Sequence, residues 1–304
     1  FNAEESGIVV KFEKKDTPQK VNIKLFRQGP KDIRLNDTKI SQKELIGTLN
    51  TVIFCPEDLQ LIKGTPSGRR RFLDMEISQT SATYYHQLMQ YNRLLQQRNA
   101  ILKEYRGKQN IPLEEWDLQL ADMASFIVKK RLESLKKINL LIDLMNRKLT
   151  GGLENLTIGY EQPYMDNGSL EYTKEGFYER IKAALPQDRH RMTTSVGPHR
   201  DDLRFFSDAM DLKKFGSQGQ QRTAVLSLKL SELEFIKSEV GEYPVLLLDD
   251  VLSELDESRR ANLLQFIHKR IQTFITTTDI HDFKDLKSVQ FISCEGGKVQ
   301  YGQP

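Results

Sequence analysis

Two short stretches of this 304-residue chain combine residue types that handle phosphates and metal ions. In the first, residues 215–222, Ser217 and Gln220 have the spacing of a capping box at a helix start. Gly216 and Gly219 flank that start. A helix start presents free N–H groups and partial positive charge, which favour a phosphate. The sequence therefore predicts an anion-binding helix start at Ser217.

The second stretch places two carboxylates directly after an apolar run. Residues 245–248 read Val-Leu-Leu-Leu and follow Pro244, a pattern typical of a strand buried on both faces. Asp249 and Asp250 come next, at the end of the strand where open α/β sheets bind ligands. Carboxylate oxygens suit Mg²⁺. A phosphate-binding helix start and paired acids together indicate Mg-nucleotide chemistry.

One helix is predicted between these stretches, over residues 223–240. Its apolar stripe consists of Val225, Leu228, Leu233 and Ile236. Three charged residues lie mostly off that stripe, namely Lys229, Glu232 and Glu239. The helix therefore connects the predicted phosphate site to the strand that carries the two acids.

The two stretches resemble the signature motif and the Walker B motif of ABC-type ATPases. The amino-acid sequences of the two stretches are most similar to those of the RecF family of bacterial recombination mediators. Two further regions match that family: Phe-Cys-Pro-Glu-Asp-Leu at 54–59 with Arg-Arg-Arg-Phe-Leu-Asp at 69–74, and Ser-Val-Gly-Pro-His-Arg-Asp-Asp-Leu at 195–203. The matches run in the right order from about residue 50 to residue 279, which is most of the chain.

The resemblance implies ATP and Mg²⁺ as cofactors and assigns a role to each acid. Asp249 would be the Mg²⁺ ligand. Asp250 would orient the attacking water, where ABC ATPases usually carry the longer glutamate. The residues that would contact a γ-phosphate held by a second subunit are Ser217, Gln218, Gly219 and Gln220. The nucleotide site would then be shared between two chains, and ATP would drive homodimer formation.

Three further positions complete the site that the resemblance implies. Ser253 and Asp256 would belong to the D-loop; Asp256 is equally well placed to cap the helix that follows it. Thr278 stands where ABC proteins keep a switch histidine, and we expect it to have a catalytic role. His281 is expected to lie on the surface.

The chain departs from the resemblance in one respect. No G-x-x-x-x-G-K-[ST] phosphate loop occurs in the 304 residues, and the first residue is Phe1 rather than Met. We expect that an N-terminal piece with the opening strand, the phosphate loop and the first helix is absent from this sequence. The rival interpretation is a degenerate ATPase that lacks the loop.

Strand and helix patterns predict an α/β protein of two lobes. Residues 8–40 read as antiparallel hairpins. Long helices follow, of which the longest is predicted to stop at Gly151 and Gly152. The resemblance assigns residues 1–66 and 186–304 to an ABC-type ATPase lobe with a mixed sheet and an antiparallel subdomain. Residues 67–185 would form an inserted helical second lobe.

Composition excludes several protein classes. Hydrophobic residues make up 38% and charged residues 29%, which is typical of a globular protein. No apolar run approaches the length of about 18 residues that a membrane span needs, so we expect no membrane partner. Cys55 and Cys294 fit no metal spacing, and we expect both to be buried in a reducing cytoplasm.

Charge distribution bears on nucleic-acid binding, because a net charge of +3 is too small to indicate it. The candidate DNA contacts are Arg69, Arg70 and Arg71, then Lys129, Lys130, Arg131, Lys136 and Lys137. The second group spreads over more than one helix face, so a solvated helix surface is an open alternative. Phosphate contacts would give strong salt dependence without sequence preference.

The resemblance implies a function in recombinational repair. An ATP-driven dimer would clamp duplex DNA near single-strand gaps, and hydrolysis would open it. RecO and RecR would be partners. The alternatives are another SMC-like repair ATPase and a non-catalytic DNA-binding scaffold.

Overall fold

The computed structural model of the chain describes residues 3–106, 112–152, 154–166, 168–252, 255–278, 283 and 289–301. Helices and strands of both parallel and antiparallel sheets are present. The predicted α/β fold class is confirmed.

An antiparallel sheet forms the first part of the chain. The elements here are β1 (Glu5–Lys14), β2 (Thr17–Phe26), β3 (Asp32–Leu35), β4 (Thr38–Ile40), α1 (Gln42–Leu45) and β5 (Thr51–Phe54). Strands β1 to β4 pair in chain order, each antiparallel to the next. Lys15 and Asp16 have φ values of 49° and 59°, which suits a tight type I′ hairpin turn. The hairpins predicted over residues 8–40 are confirmed.

Long helices follow, as predicted. After a 3-10 turn at Pro56–Leu59 the elements are α2 (Gln60–Lys63), α3 (Pro66–Thr80), α4 (Ala82–Glu104) and α5 (Glu114–Thr150). Helix α5 has 37 residues, or about 55 Å of helix. It ends where Gly151 adopts a left-handed φ of 69°, the conformation that glycine supplies at helix ends. The stop predicted at Gly151 is confirmed.

A second antiparallel sheet and the central helix come next. The elements are β6 (Leu156–Glu161), α6 (Lys174–Ala183), α7 (Leu185–Arg191), β7 (Asp202–Ser207), β8 (Met210–Asp211), α8 (Leu212–Phe215) and α9 (Gln218–Val240). Strands β6, β7 and β8 pair in that order. The predicted division at residue 185 therefore separates β6 from the strand with which it pairs. The two-lobe division itself stays a prediction.

The last elements complete a parallel sheet. They are β9 (Val245–Asp249), α10 (Glu257–Ile267), β10 (Thr273–Thr276), β11 (Ile292–Glu295) and β12 (Lys298–Tyr301). Strand β9 lies between β5 and β10 and is parallel to both. Strands β11 and β12 form the closing hairpin that the sequence predicts.

One face of this parallel sheet is more open than the apolar pattern predicts. On β9, Leu246 and Leu248 are buried, whereas Leu247 is half-buried. The residues beside Leu247 on the flanking strands are Ile53 and Phe274, and they are 52% and 53% exposed. The prediction that β9 is buried on both faces is therefore wrong for this face among the described residues.

The core lies around α5 and α9. Helix α5 packs against α4, α6 and α9, and α9 is buried along most of its length. Lys229 and Glu232 lie off the apolar stripe of α9 but are only 6% and 2% exposed. They tolerate burial because they pair with each other, and Lys229 also pairs with Asp58. No helix in the described part of the chain has both the length and the apolarity to cross a membrane.

Candidate active site

The predicted phosphate-binding turn lies at the start of α9. Ser217 is its N-cap: the Ser217 hydroxyl accepts the N–H of Gln220 at 3.2 Å, and the Gln220 side-chain oxygen accepts the N–H of Ser217 at 3.0 Å. The predicted capping box is confirmed. Ser217, Gln218 and Gly219 are exposed, so a ligand can reach the first N–H groups of the helix.

Neighbouring segments fix the shape of this turn. A Cβ on Gly216 would lie 2.6 Å from the carbonyl oxygen of Leu212, which is why glycine is needed there. Gln220 donates from its side-chain nitrogen to Glu154 at 3.0 Å. Glu154 in turn accepts the hydroxyl of Ser207 at 2.9 Å. Sequence reasoning missed Glu154, because no local pattern connects it to Gln220.

The two predicted acids lie at the carboxyl end of β9. Asp249 and Asp250 are both exposed, and Asp250 has a left-handed φ of 52°. The hydroxyl of Thr276 donates to Asp249 Oδ1 at 2.6 Å and accepts the N–H of Asp250 at 3.1 Å. Thr276 lies directly beside Asp249 on the neighbouring strand. A threonine hydroxyl thus contacts both acidic residues.

The remaining predicted positions are placed only in part. Thr278 is exposed and lies two residues beyond the end of β10; the residue that contacts Asp249 is Thr276 instead. Asp256 caps α10 by accepting the N–H of Arg259 at 2.9 Å, so its predicted capping role is confirmed. Ser253 and His281 lie outside the described residues.

These groups fit the chemistry of a magnesium nucleotide in part. Asp249 and Asp250 supply hard oxygen donors of the kind that Mg²⁺ prefers, and Thr276 holds one donor oxygen in place. The exposed start of α9 supplies N–H donors for a phosphate. Within the 304 residues no phosphate-loop motif complements them. The residues present therefore fit a Mg²⁺ ion at the end of β9 and a phosphate at the start of α9. The residues that would contact the other phosphates of a nucleotide are not assigned.

The two other motif regions meet at a buried arginine on α5. Arg131 binds both carboxylate oxygens of Asp74 at 2.9 and 3.0 Å and donates to the carbonyl of Pro198 at 2.7 Å. Its guanidinium also lies 3.8 Å from Asp201. Arg131 is only 2% exposed. Its prediction as a DNA contact is wrong, because its charge is neutralised inside the protein.

Burial shifts the pKa values of groups around Arg131. Burial raises the pKa of Asp201 to about 6, even though Arg131 and the hydroxyls of Tyr160 and Tyr164 stabilise its charged form. Burial lowers the pKa of His199 to about 4. The Thr194 carbonyl can only accept, so His199 Nε2 donates to it at 3.0 Å and Nδ1 accepts the hydroxyl of Tyr91 at 2.6 Å. His199 is therefore a neutral structural residue.

The first predicted arginine cluster has one buried member. Arg69 is 3% exposed and binds both oxygens of Asp202 at 2.7 and 2.9 Å, so its prediction as a DNA contact is wrong. Arg70 is half-buried and donates to the Asp201 carbonyl at 2.7 Å. Arg71 is exposed. The periodicity of α3 accounts for this difference, since consecutive residues lie on different faces of a helix.

The lysines predicted for DNA lie on the surface of α5. Lys129 and Lys136 are exposed and lie seven residues apart, on nearly the same face of the helix. Lys130 pairs with Glu133 at 2.7 Å, and Lys137 pairs with an acid of α9 at 2.5 Å. Lys129 and Lys136 are therefore better candidates for phosphate contacts than Lys130 and Lys137.

A cavity of about 900 Å³ lies apart from the predicted nucleotide residues. It is lined by residues of β5, α3, α4 and α9, including Glu76 and Lys229, and neither Ser217 nor Asp249 contributes to it. Burial raises the pKa of Glu76 to about 7.

The prediction that both cysteines are buried is wrong for Cys294, which is exposed, while Cys55 is half-buried.

No family model matches the chain, but comparison with curated proteins finds relatives that carry the same name. "DNA replication and repair protein RecF" of Alkaliphilus oremlandii is 46% identical over 290 residues, covering 94% of this chain and 79% of the relative. The protein of the same name from Halothermothrix orenii is 42% identical over 295 residues, covering 95% of this chain and 78% of the relative.

Comparison with solved structures also finds a RecF protein. The structure described as the recombination mediator protein RecF with ATP in the RecFOR pathway has a TM-score of 0.90 and 34% identity, covering all of this chain and 81% of that one. The Smc head domain of Pyrococcus furiosus, bound to the C-terminal domain of ScpA, has a TM-score of 0.52 at 13% identity. The second likeness concerns the fold alone.

Proposed function

The chain belongs to the RecF family, and we propose on that basis that it is an ATP-dependent DNA-binding protein of recombinational repair. ATP brings two copies together, and the dimer clamps duplex DNA near single-strand gaps. Hydrolysis opens the clamp and so assists recombinase loading. RecR and RecO are the protein partners, and the cytoplasm is the compartment.

The observation that carries this proposal is the exposed start of α9. Ser217, Gln218 and Gly219 are accessible at a helix N-terminus, where N–H groups and partial positive charge favour a phosphate. A γ-phosphate bound by another copy of the chain could dock there. One nucleotide would then contact two chains, and dimerisation would depend on ATP.

The acids of β9 take the roles of metal ligand and catalytic residue in this proposal. Asp249 holds Mg²⁺, which supplies charge neutralisation on the phosphates. Asp250 orients the attacking water, and its short side chain favours slow turnover. Ser253 and Asp256 contribute from the D-loop, and Thr278 acts as the switch residue. The 304 residues contain no phosphate loop, so we expect them to be inactive without such a segment.

DNA binding rests on exposed basic residues. Arg71, Lys129 and Lys136 are exposed, and they offer phosphate contacts that do not read sequence. Lys130 and Lys137 are weaker candidates because acids pair with them. Arg70 is half-buried and can contribute only from the edge of this surface.

Replacing Ser217 by Arg tests the shared site in the complete natural protein. The bulky cation would obstruct the γ-phosphate position, while loss of the cap costs only about 1 kcal/mol of stability. We expect Ser217→Arg to abolish the ATP-dependent dimer in sedimentation velocity and to leave ATP binding by the monomer intact. Ser238→Arg is the matched control, on an exposed serine of the same helix roughly 30 Å away. A Ser217→Arg protein that dimerises with ATP as the wild type does would refute the shared site.

A non-catalytic DNA-binding scaffold is the second candidate. The 304 residues contain no phosphate loop, and a complete protein that also lacked one would be such a scaffold. ATP turnover by the complete natural protein, with and without duplex DNA, separates the two candidates. Hydrolysis that DNA stimulates supports the ATPase, and no hydrolysis under either condition supports the scaffold.

A further inference from the structure

A single hydroxyl joins the two acidic residues at the end of β9. Thr276 Oγ1 lies 2.6 Å from Asp249 Oδ1 and 3.1 Å from the backbone nitrogen of Asp250. The direction of both hydrogen bonds is fixed by chemistry. A carboxylate can only accept and a backbone N–H can only donate. Thr276 therefore donates its proton to Asp249 and accepts from Asp250.

These two bonds restrain different parts of the site. The bond to Asp249 fixes the orientation of its carboxylate and occupies one lone pair of Oδ1, so other lone pairs remain for a cation. The bond from Asp250 holds a backbone whose φ of 52° is unusual for a residue other than glycine. Such a conformation persists where its surroundings determine it.

The strand pairing makes this contact specific to one threonine. Thr276 is the residue of β10 that lies beside Asp249 in the parallel register. Thr273, on the same strand, directs its hydroxyl to the carbonyl of Ile271 at 3.1 Å. The two threonines lie on the same strand and have the same type of side chain, but their hydroxyls contact different groups.

We propose that Thr276 is a positioning residue for the metal site. It acts through Asp249, whose carboxylate it orients toward Mg²⁺, and it holds the backbone that carries Asp250. This inference rests on the proposed ATPase function. The side chain of Thr276 therefore sets how much Mg²⁺ the protein needs for ATP hydrolysis.

The test measures two properties of the complete natural protein against Mg²⁺ concentration. They are ATP hydrolysis and the binding of a fluorescent, non-hydrolysable ATP analogue, which reports on the metal without turnover. Thr276→Val keeps the shape and removes the hydroxyl, and we expect its half-saturating Mg²⁺ concentration to rise roughly tenfold or more, as expected for loss of a hydrogen bond to a charged group. The maximal rate should fall less than that. Thr276→Ser restores the hydroxyl and should stay within about twofold of the wild type. Thr273→Val is the matched control and should leave the Mg²⁺ dependence unchanged.

Each outcome decides the inference. It is overturned if Thr276→Val and Thr273→Val have the same Mg²⁺ dependence, or if Thr276→Ser is as impaired as Thr276→Val. If Thr276→Val does not fold, Thr276→Ala compared with Thr276→Ser gives the same decision. A wild-type protein that hydrolyses no ATP overturns the proposed function and this inference together. Normal hydrolysis with no effect at Thr276 overturns the inference alone.

Discussion

Replacing Arg131 by Met is the most direct test of how the motif regions hold the fold together. Methionine keeps much of the aliphatic volume and removes the guanidinium. The Asp74 carboxylate would then lose both of its hydrogen bonds to Arg131, and the Pro198 carbonyl would lose its donor. Asp201, which has no exposed side-chain area, would lose the nearby positive charge.

The size of the effect follows from this burial. Removing one partner of a buried ion pair lowers the free energy of unfolding by about 3–5 kcal/mol, because the other charge remains buried without compensation. We therefore expect Arg131→Met to lower the free energy of unfolding by about 4 kcal/mol, a large part of the about 5–15 kcal/mol typical of a folded protein. With a urea dependence of about 3 kcal/mol per M, the unfolding midpoint should fall by about 1.3 M.

Urea unfolding followed by circular dichroism measures this shift. Lys130→Met is the matched control, since Lys130 is the adjacent residue but its side chain is 43% exposed; it should change the midpoint little. Combining Arg131→Met with Asp74→Asn should destabilise by less than the sum of the single changes, because both remove the same pair. An unfolding midpoint of Arg131→Met within about 0.2 M of the wild type, a shift as small as the one expected for Lys130→Met, would refute the argument. Strict additivity of Arg131→Met with Asp74→Asn would refute it as well.

Two further outcomes are expected from the same geometry. His199 has a pKa of about 4 in the folded protein, against an ordinary value of 6.5. Between pH 6.5 and about pH 4 the unfolded chain therefore binds a proton at this residue that the folded protein does not bind. The free energy of unfolding consequently falls as the pH falls through this range. His199→Gln should remove about 3 kcal/mol of that change in pH-dependent urea unfolding, and an identical pH profile would refute the assignment; Asp201, whose pKa is raised, contributes with the opposite sign in both proteins. Replacing Lys129 and Lys136 together by Glu should weaken binding to duplex DNA and reduce the slope of log affinity against log salt by about 2. Lys148→Glu, at an exposed site on the same helix, is the control, and equal slopes in all three proteins would exclude these contacts.

Local sequence signals predicted the local structure of the site well. Ser217 and Gln220 are three residues apart, and the capping box that they form depends on no other segment. Gly151 ends α5 because a left-handed residue there needs no distant partner. The strand before Asp249 was likewise apparent from its own apolar run. Such features depend on a few neighbouring residues, so one sequence is enough to find them.

Long-range pairing could not be read in the same way. Arg131 resembled a surface cation because polar residues on a helix are usually solvated, but its partner Asp74 is 57 residues away in the chain. Thr276 was missed for the same reason, and the sequence indicated Thr278 alone. Thr276 is the last residue of β10 and Thr278 lies two residues beyond it, and only the register of β10 against β9 identifies Thr276 as the neighbour of Asp249.

The buried ion pairs also explain why several charged residues of two motif regions are not available to a ligand. Asp74 and Arg69 come from one region, while His199, Asp201 and Asp202 come from the other, and both regions meet beside α5.
Charges that are buried and paired in this way leave no free guanidinium for DNA and no free carboxylate for a metal. Exposed candidates for ligand contacts remain at the start of α9, at the end of β9 and, for DNA, at Arg71, Lys129 and Lys136. Within the described residues, the buried polar cluster therefore joins α3 and the loop before β7 to α5, and the proposed nucleotide and DNA contacts rest on exposed residues outside it.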